Sequence, residues 1–161
     1  MKTSGSGSAA YEAGDAWHVD VYEAARGRLF RTARLLTGSD AVAEEVVQEA
    51  FLRVHMSRRQ PDNAAAYLRA TVVNLCRNHS RRMRLEHSLY DPPAAVVSCP
   101  EVDETFAIVA RLPYRQRAVL VLRFYEDLTE VEIAEVLGCP LGSVKSSLHR
   151  GLAKLRKEVS R

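Results

Sequence analysis

Ser143, Lys145, Ser146, His149 and Arg150 place hydroxyl, ammonium, imidazole and guanidinium groups within about two turns of helix. Side chains of these types, aligned on one face, hydrogen-bond to base edges and phosphates. A second polar set is Asn74, Arg77, Asn78, Arg81 and Arg82. Five arginines fall between Arg69 and Arg84, with no acid until Glu86. Complementing a helix dipole would explain some of them, but this density exceeds that need. Mixed with asparagine, they suit phosphate and base contacts. The third set is acidic: Glu44, Glu45, Gln48 and Glu49. It reads either as dipole stabilisation early in a helix or as a docking face for a basic partner.

Bond-making chemistry finds no footing. The histidines form no pair at ligand spacing, and no glycine-rich phosphate loop or nucleophile elbow appears. Cys76, Cys99 and Cys139 are odd in number and far apart, without a CxxC. Neither a zinc site nor a disulfide framework is expected. Reduced thiols, no metal, no cofactor and no enzyme are the resulting expectations.

The first polar set needs a helix-turn-helix to hold it. Thr129 with Glu132 three residues on is a capping box. Ile133, Ala134 and Leu137 give a short apolar face, Gly138 fits the left-handed position past a helix end, and Pro140 stops continuation. A second helix follows, with Val144, Leu148, Leu152 and Leu155 as its apolar stripe. The second helix of such a motif enters the DNA major groove with its N-terminal side chains on base edges. Lys154, Arg156 and Lys157 lie further along.

Upstream, helices are expected over 16–36, 41–56 and 64–86. The second is the most regular, with Ala43, Val46, Val47, Ala50, Phe51 and Val54 on one face. The third carries the arginine-rich set, with Leu68, Val72, Leu75, His79 and Met83 inward. Prolines and loss of period make 87–100 a flexible linker. Helices resume over 101–112 and 114–124 to cover the helix-turn-helix. The fold expected is all-α, in two small domains of three and four helices. Their bounds are 16–86 and 101–161, preceded by a Gly/Ser/Ala-rich disordered tail over 1–15.

At 161 residues and a formal charge of +3, the arrangement of charge matters more than its sum. No run of apolar residues is long enough to span a bilayer, and the N-terminus does not read as a secretory signal. A cytoplasmic location is expected.

The words LLTGSDAVAEEVVQEAFLRV and AYLRATVVNLCRNHSRR in the first half, with RLPYRQRAVLVLRF, LTEVEIAEVLG and GSVKSSLHRGLAKLR in the second, resemble the extracytoplasmic-function group of bacterial RNA polymerase sigma factors. The resemblance implies a protein that binds core polymerase, recognises −35 and −10 promoter elements and promotes melting. It implies that Glu44, Glu45, Gln48 and Glu49 dock the polymerase clamp helices. It places Arg58, Asn63, Asn74, Arg77, Asn78, Arg81 and Arg82 at the −10 element, and Ser143, Lys145, Ser146, His149 and Arg150 at the −35 element. An anti-sigma protein is an implied partner, and membrane insertion is not. Two departures stand out: Gly151 where the family usually has alanine, and no tryptophan near His55 and Met56. A free-standing helix-turn-helix regulator and a helical protein-binding adaptor are the alternatives.

Overall fold

Among the described residues, seven helices follow from the apolar periodicities and the caps that bound them. The structure is a computed structural model that describes residues 23–57, 62–89 and 104–160. Helix α1 covers residues 23–37 and ends at Gly38, whose φ of 75° needs no Cβ. Helix α2, Asp40–Met56, starts where the Ser39 side chain accepts from the Val42 amide. Helix α3, Ala64–Leu89, starts where Asn63 Oδ1 accepts from the Ala66 amide at 3.0 Å. Helices α4 (Glu104–Ala110), α5 (Tyr114–Leu120), α6 (Glu130–Leu137) and α7 (Leu141–Val159) complete the chain. No strand occurs among the described residues.

The first three helices bury Leu29, Ala33 and Leu36 of α1 against Ala43, Val46, Val47, Ala50 and Val54 of α2 and Leu68, Val72 and Leu75 of α3. Alanines at 43 and 50 permit close crossing, while branched residues fill the space beside them. In the second group, Ala118, Val119, Val121, Leu122, Ile133, Leu137 and Val144 form the centre. The buried run from Ala118 to Leu122 occupies every side of its helix. There the chain widens into a π-helical turn, Val121–Tyr125, which the 114–124 periodicity did not foreshadow.

The two groups are packed together. Val73 and Cys76 of α3, absent from the expected inner face, are fully buried because the second group covers them. His79 is only half-buried and Met83 is exposed, so the inner face of α3 ends earlier than its spacing implied. In α7 the inward residues are Val144, Ser147 and Gly151, with Leu148, Leu152 and Leu155 half-buried beside them. Small residues win there because α7 crosses α5 closely: a Cβ at Gly151 would stand 2.9 Å from Leu120 Cδ1.

Arginines join the groups by capping helix ends. Arg117 Nη1 donates to the Leu36 carbonyl at the end of α1, at 2.9 Å. Arg77 Nη1 donates to the Leu137 carbonyl at the end of α6, at 3.0 Å. Both carbonyls lack intrahelical partners, and both helix ends carry partial negative charge. Tyr114 adds a hydroxyl bond to the Val73 carbonyl at 2.9 Å.

Helix α3 continues through residues 87–89, where the linker was expected to begin. The rest of that segment, the expected tail over 1–15, the start of the first helix and Arg58 lie outside the described residues.

Candidate nucleic-acid interface

The helix-turn-helix is fixed by its caps. Thr129 Oγ1 accepts from the Glu132 amide at 3.3 Å, and Glu132 Oε2 accepts from the Thr129 amide at 2.8 Å. Donation to that carboxylate from the Thr129 amide, foremost, and from Thr129 Oγ1 at 2.8 Å holds the Glu132 carboxyl below its ordinary range. Gly138 takes φ 59° and ψ 44°, while the Cys139 amide reaches back to the Ala134 carbonyl at 3.0 Å. That reach turns the chain into Pro140 and α7.

Because Val144, Ser147 and Gly151 face inward, Lys145, Ser146, His149 and Arg150 all point to solvent. Ser143 is half-buried, and its carbonyl accepts from Ser146 Oγ at 3.2 Å. Four of the five side chains expected at the −35 element therefore share one exposed side of α7, clear of the core. Lys154, Arg156 and Lys157 continue along the exposed side.

The α3 set divides. Asn78, Arg81 and Arg82 are exposed, Asn74 is half-buried, and Arg77 is engaged at the end of α6. Asn63 is occupied in capping α3. Burial, with Arg82 second, lowers the His79 pKa and favours its neutral ring. Cys76 beneath this helix is a core thiol, pushed up to about 12 by desolvation. Tyr114 is likewise raised by burial. Arg77, Arg81 and Arg84 of α3 and Arg115 of α5 line one cleft of about 430 Å³. Arg84 belongs to the arginine-rich run already counted in the sequence, whereas Arg115 escaped it because nothing in the spacing brings α5 to α3.

On α2, Glu45, Gln48 and Glu49 are exposed, and Glu44 is half-buried. Glu44 accepts from Arg26 at 2.7 Å, and Glu49 pairs with Arg53 one turn on. Glu45 shares its side of the helix with Leu52 and Met56, which are 60% and 79% exposed. These two apolar residues were missed: the helical count placed them off the core face, but gave no reason to value them. Acidic and uncovered apolar groups together make a surface of the kind that docks a partner.

Comparison with known proteins follows this division. The family profile described as Sigma-70 region 2 matches residues 21–85, and that described as Sigma-70, region 4 matches residues 105–155. An RNA polymerase sigma-E factor of Streptomyces avermitilis is 34% identical over 143 residues, covering 81% of this chain and 78% of that protein. The ECF RNA polymerase sigma factor SigW of Bacillus subtilis is 26% identical, covering 88% of this chain and 86% of that one. Among solved structures, the sigma factor RpoE in complex with the anti-sigma factor NepR from Bartonella quintana superposes with a TM-score of 0.70. It is 19% identical and covers 88% of this chain and 95% of that chain, a likeness of fold.

Proposed function

The chain belongs to the extracytoplasmic-function group of the sigma-70 family, and on that premise we propose how its surfaces divide the work of starting transcription. As an RNA polymerase sigma factor it binds core polymerase, recognises −35 and −10 promoter elements and promotes DNA melting. Its partners are core polymerase and promoter DNA, and an anti-sigma protein is a further one in keeping with the family. No helix among the described residues is long and apolar enough to cross a membrane. Work in the cytoplasm, where core polymerase and DNA are, completes the proposal.

The carrying observation is that α7 shows Lys145, Ser146, His149 and Arg150 to solvent while its other side is fixed in the core. These residues, with Ser143, read the duplex −35 element in the major groove. Asn74, Arg77, Asn78, Arg81 and Arg82 take the −10 strand, with Arg58 and Asn63 at the entry to α3. Unstacking bases costs a few kcal/mol, offset by contacts to the extruded bases and by polymerase. Glu44, Glu45, Gln48 and Glu49 of α2, with Leu52 and Met56, meet the clamp helices of core. The chain contributes no bond-making group; RNA synthesis remains with polymerase. The expected domain limits follow the same division, 16–86 for core and −10 and 101–161 for −35, with the linker beginning after the end of α3 at Leu89 rather than at 87. A free-standing regulator would use α6 and α7 equally well but would leave the α2 surface without a purpose.

Docking is tested by Glu45→Lys with Glu49→Lys. Both sites are exposed, and the Glu49–Arg53 pair contributes under about 1 kcal/mol, so the thermal transition should hold. Affinity for core should fall about tenfold or more, as for charge reversal within a complementary contact. A doubly reversed chain that competes for core as well as the unaltered one contradicts the docking face.

A further inference from the structure

Glu126, at the end of the π-helical turn, has a side chain only 2% exposed. A carboxylate so buried requires partners, and all of those it has lie in the other helical group. Thr32 Oγ1 donates to Glu126 Oε1 at 2.5 Å. Arg28 Nε donates to Oε2 at 3.2 Å, and Arg69 Nη1 stands 3.5 Å from the same oxygen. Among the described residues of its own group, Glu126 makes only a backbone bond, from its amide to the Val121 carbonyl at 3.1 Å. The neighbouring Tyr125 is held too: its carbonyl accepts from Arg28 Nη2 at 3.0 Å and its hydroxyl from Arg31 Nε at 2.8 Å.

We propose that Arg28, Thr32 and Arg69 form a carboxylate socket whose occupant is this chain's own Glu126, and that the filled socket latches the two helical groups into a resting, closed form. The latch has a consequence for the DNA-binding surface because closure also brings Leu137 onto Arg77. A guanidinium bonded to the end of α6 is withheld from the −10 strand. Separation of the groups would return Glu126 to water, where a carboxylate needs no partner. It would also free Arg77, so the socket sets how much of the chain is ready for promoter DNA. This consequence rests on the proposed −10 role of Arg77; the latch itself does not.

The test reads the full chain without polymerase, by pulsed dipolar spectroscopy between unnatural-amino-acid spin labels at the exposed positions Glu23 and Lys157. Glu126→Gln keeps a group able to accept from Thr32 but removes the charge. Arg28→Ala with Arg69→Ala empties the socket from the other side. Each should raise the separated population at least threefold, and the combination should fall well short of the product of the two, because the substitutions share the Glu126 interaction and only Arg28 loses a further bond, to the Tyr125 carbonyl. Core affinity should hold, since the α2 docking face is already exposed in the closed form, while promoter activity should rise by up to a similar factor as Arg77 is freed. Circular dichroism confirms the helices; should Glu126→Gln unfold the chain, the arginine pair, with Arg28 half exposed, still decides. An unchanged distance distribution in a folded variant overturns the latch. Strictly additive effects overturn the assignment of Glu126 as the occupant. An opened chain with unaltered promoter activity would leave the latch standing and overturn the −10 role of Arg77.

Discussion

Arg150 and Lys154 differ by one helical turn and, in this account, by kind of contact. Arg150 is exposed beside His149 on the early part of α7, where a recognition helix meets base edges. A guanidinium there can bond guanine through two donors, worth about 1–3 kcal/mol of discrimination per base pair. Lys154 stands later on the exposed side, suited to phosphate. Arg150→Ala should therefore relax preference at one or two −35 positions. Lys154→Ala should weaken all promoters alike and flatten the dependence on salt. Transcription from a randomised −35 library at two salt concentrations separates them, and an unchanged preference for Arg150→Ala places that side chain elsewhere. At this scale the sequence was informative where a residue's role is local. The Thr129 and Glu132 cap, the left-handed Gly138 and the outward direction of Lys145, Ser146, His149 and Arg150 follow from neighbours within one helix turn. Arg77 was legible as a basic residue on the polar side of α3, but its bond to Leu137, sixty positions away, was not.

Between elements, close approach explains what composition made puzzling. Glycine inside a helix costs up to about 1 kcal/mol against alanine, so Gly151 in α7 reads as a defect from sequence. Against α5 it reads as a fit: Leu120 Cδ1 and Cγ lie 2.9 and 3.3 Å from where its Cβ would be. Alanine is accommodated if the Leu120 terminus turns aside, which reconciles the site with the alanine usual in the family. A branched residue is not. Gly151→Val should lower stability by about 2 kcal/mol or more through overpacking and loss of helix propensity, read from urea unfolding. A Val variant as stable as the unaltered chain would show that α5 and α7 are less closely crossed. The expected stripe Val144, Leu148, Leu152 and Leu155 lies near the true contact face. Its centre was displaced because leucines mark a helix's apolar side, whereas Ser147 and Gly151 mark where a backbone can approach. The wider π-helical turn was equally hidden, since an apolar run on all sides of a helix has no period to read.

For the molecule as a whole, order along the chain was legible and arrangement in space was not. Three helices, a break, and four helices with a turn near the end can be read from caps, glycines and prolines. That the groups meet depends on arginines reaching carbonyls and a buried carboxylate: Arg117 on Leu36, Arg77 on Leu137, and Glu126 among Arg28, Thr32 and Arg69. Surface arginines and glutamates usually signify solubility, so nothing in their types identifies them as an interface. The closed chain keeps the proposed −35 face of α7 and the proposed docking face of α2 exposed while engaging Arg77. That combination suits a subunit that must be rearranged by its partner before it opens DNA. Reconstituted transcription tests this most directly: core polymerase, the purified chain and a linear promoter template, with permanganate mapping of unpaired thymines. A discrete transcript and reactive thymines at the −10 element should appear only when core and chain are both present, with both signals lost for Glu45→Lys/Glu49→Lys. A chain that binds the promoter alone, leaves its thymines unreactive and gives core no defined start would contradict it.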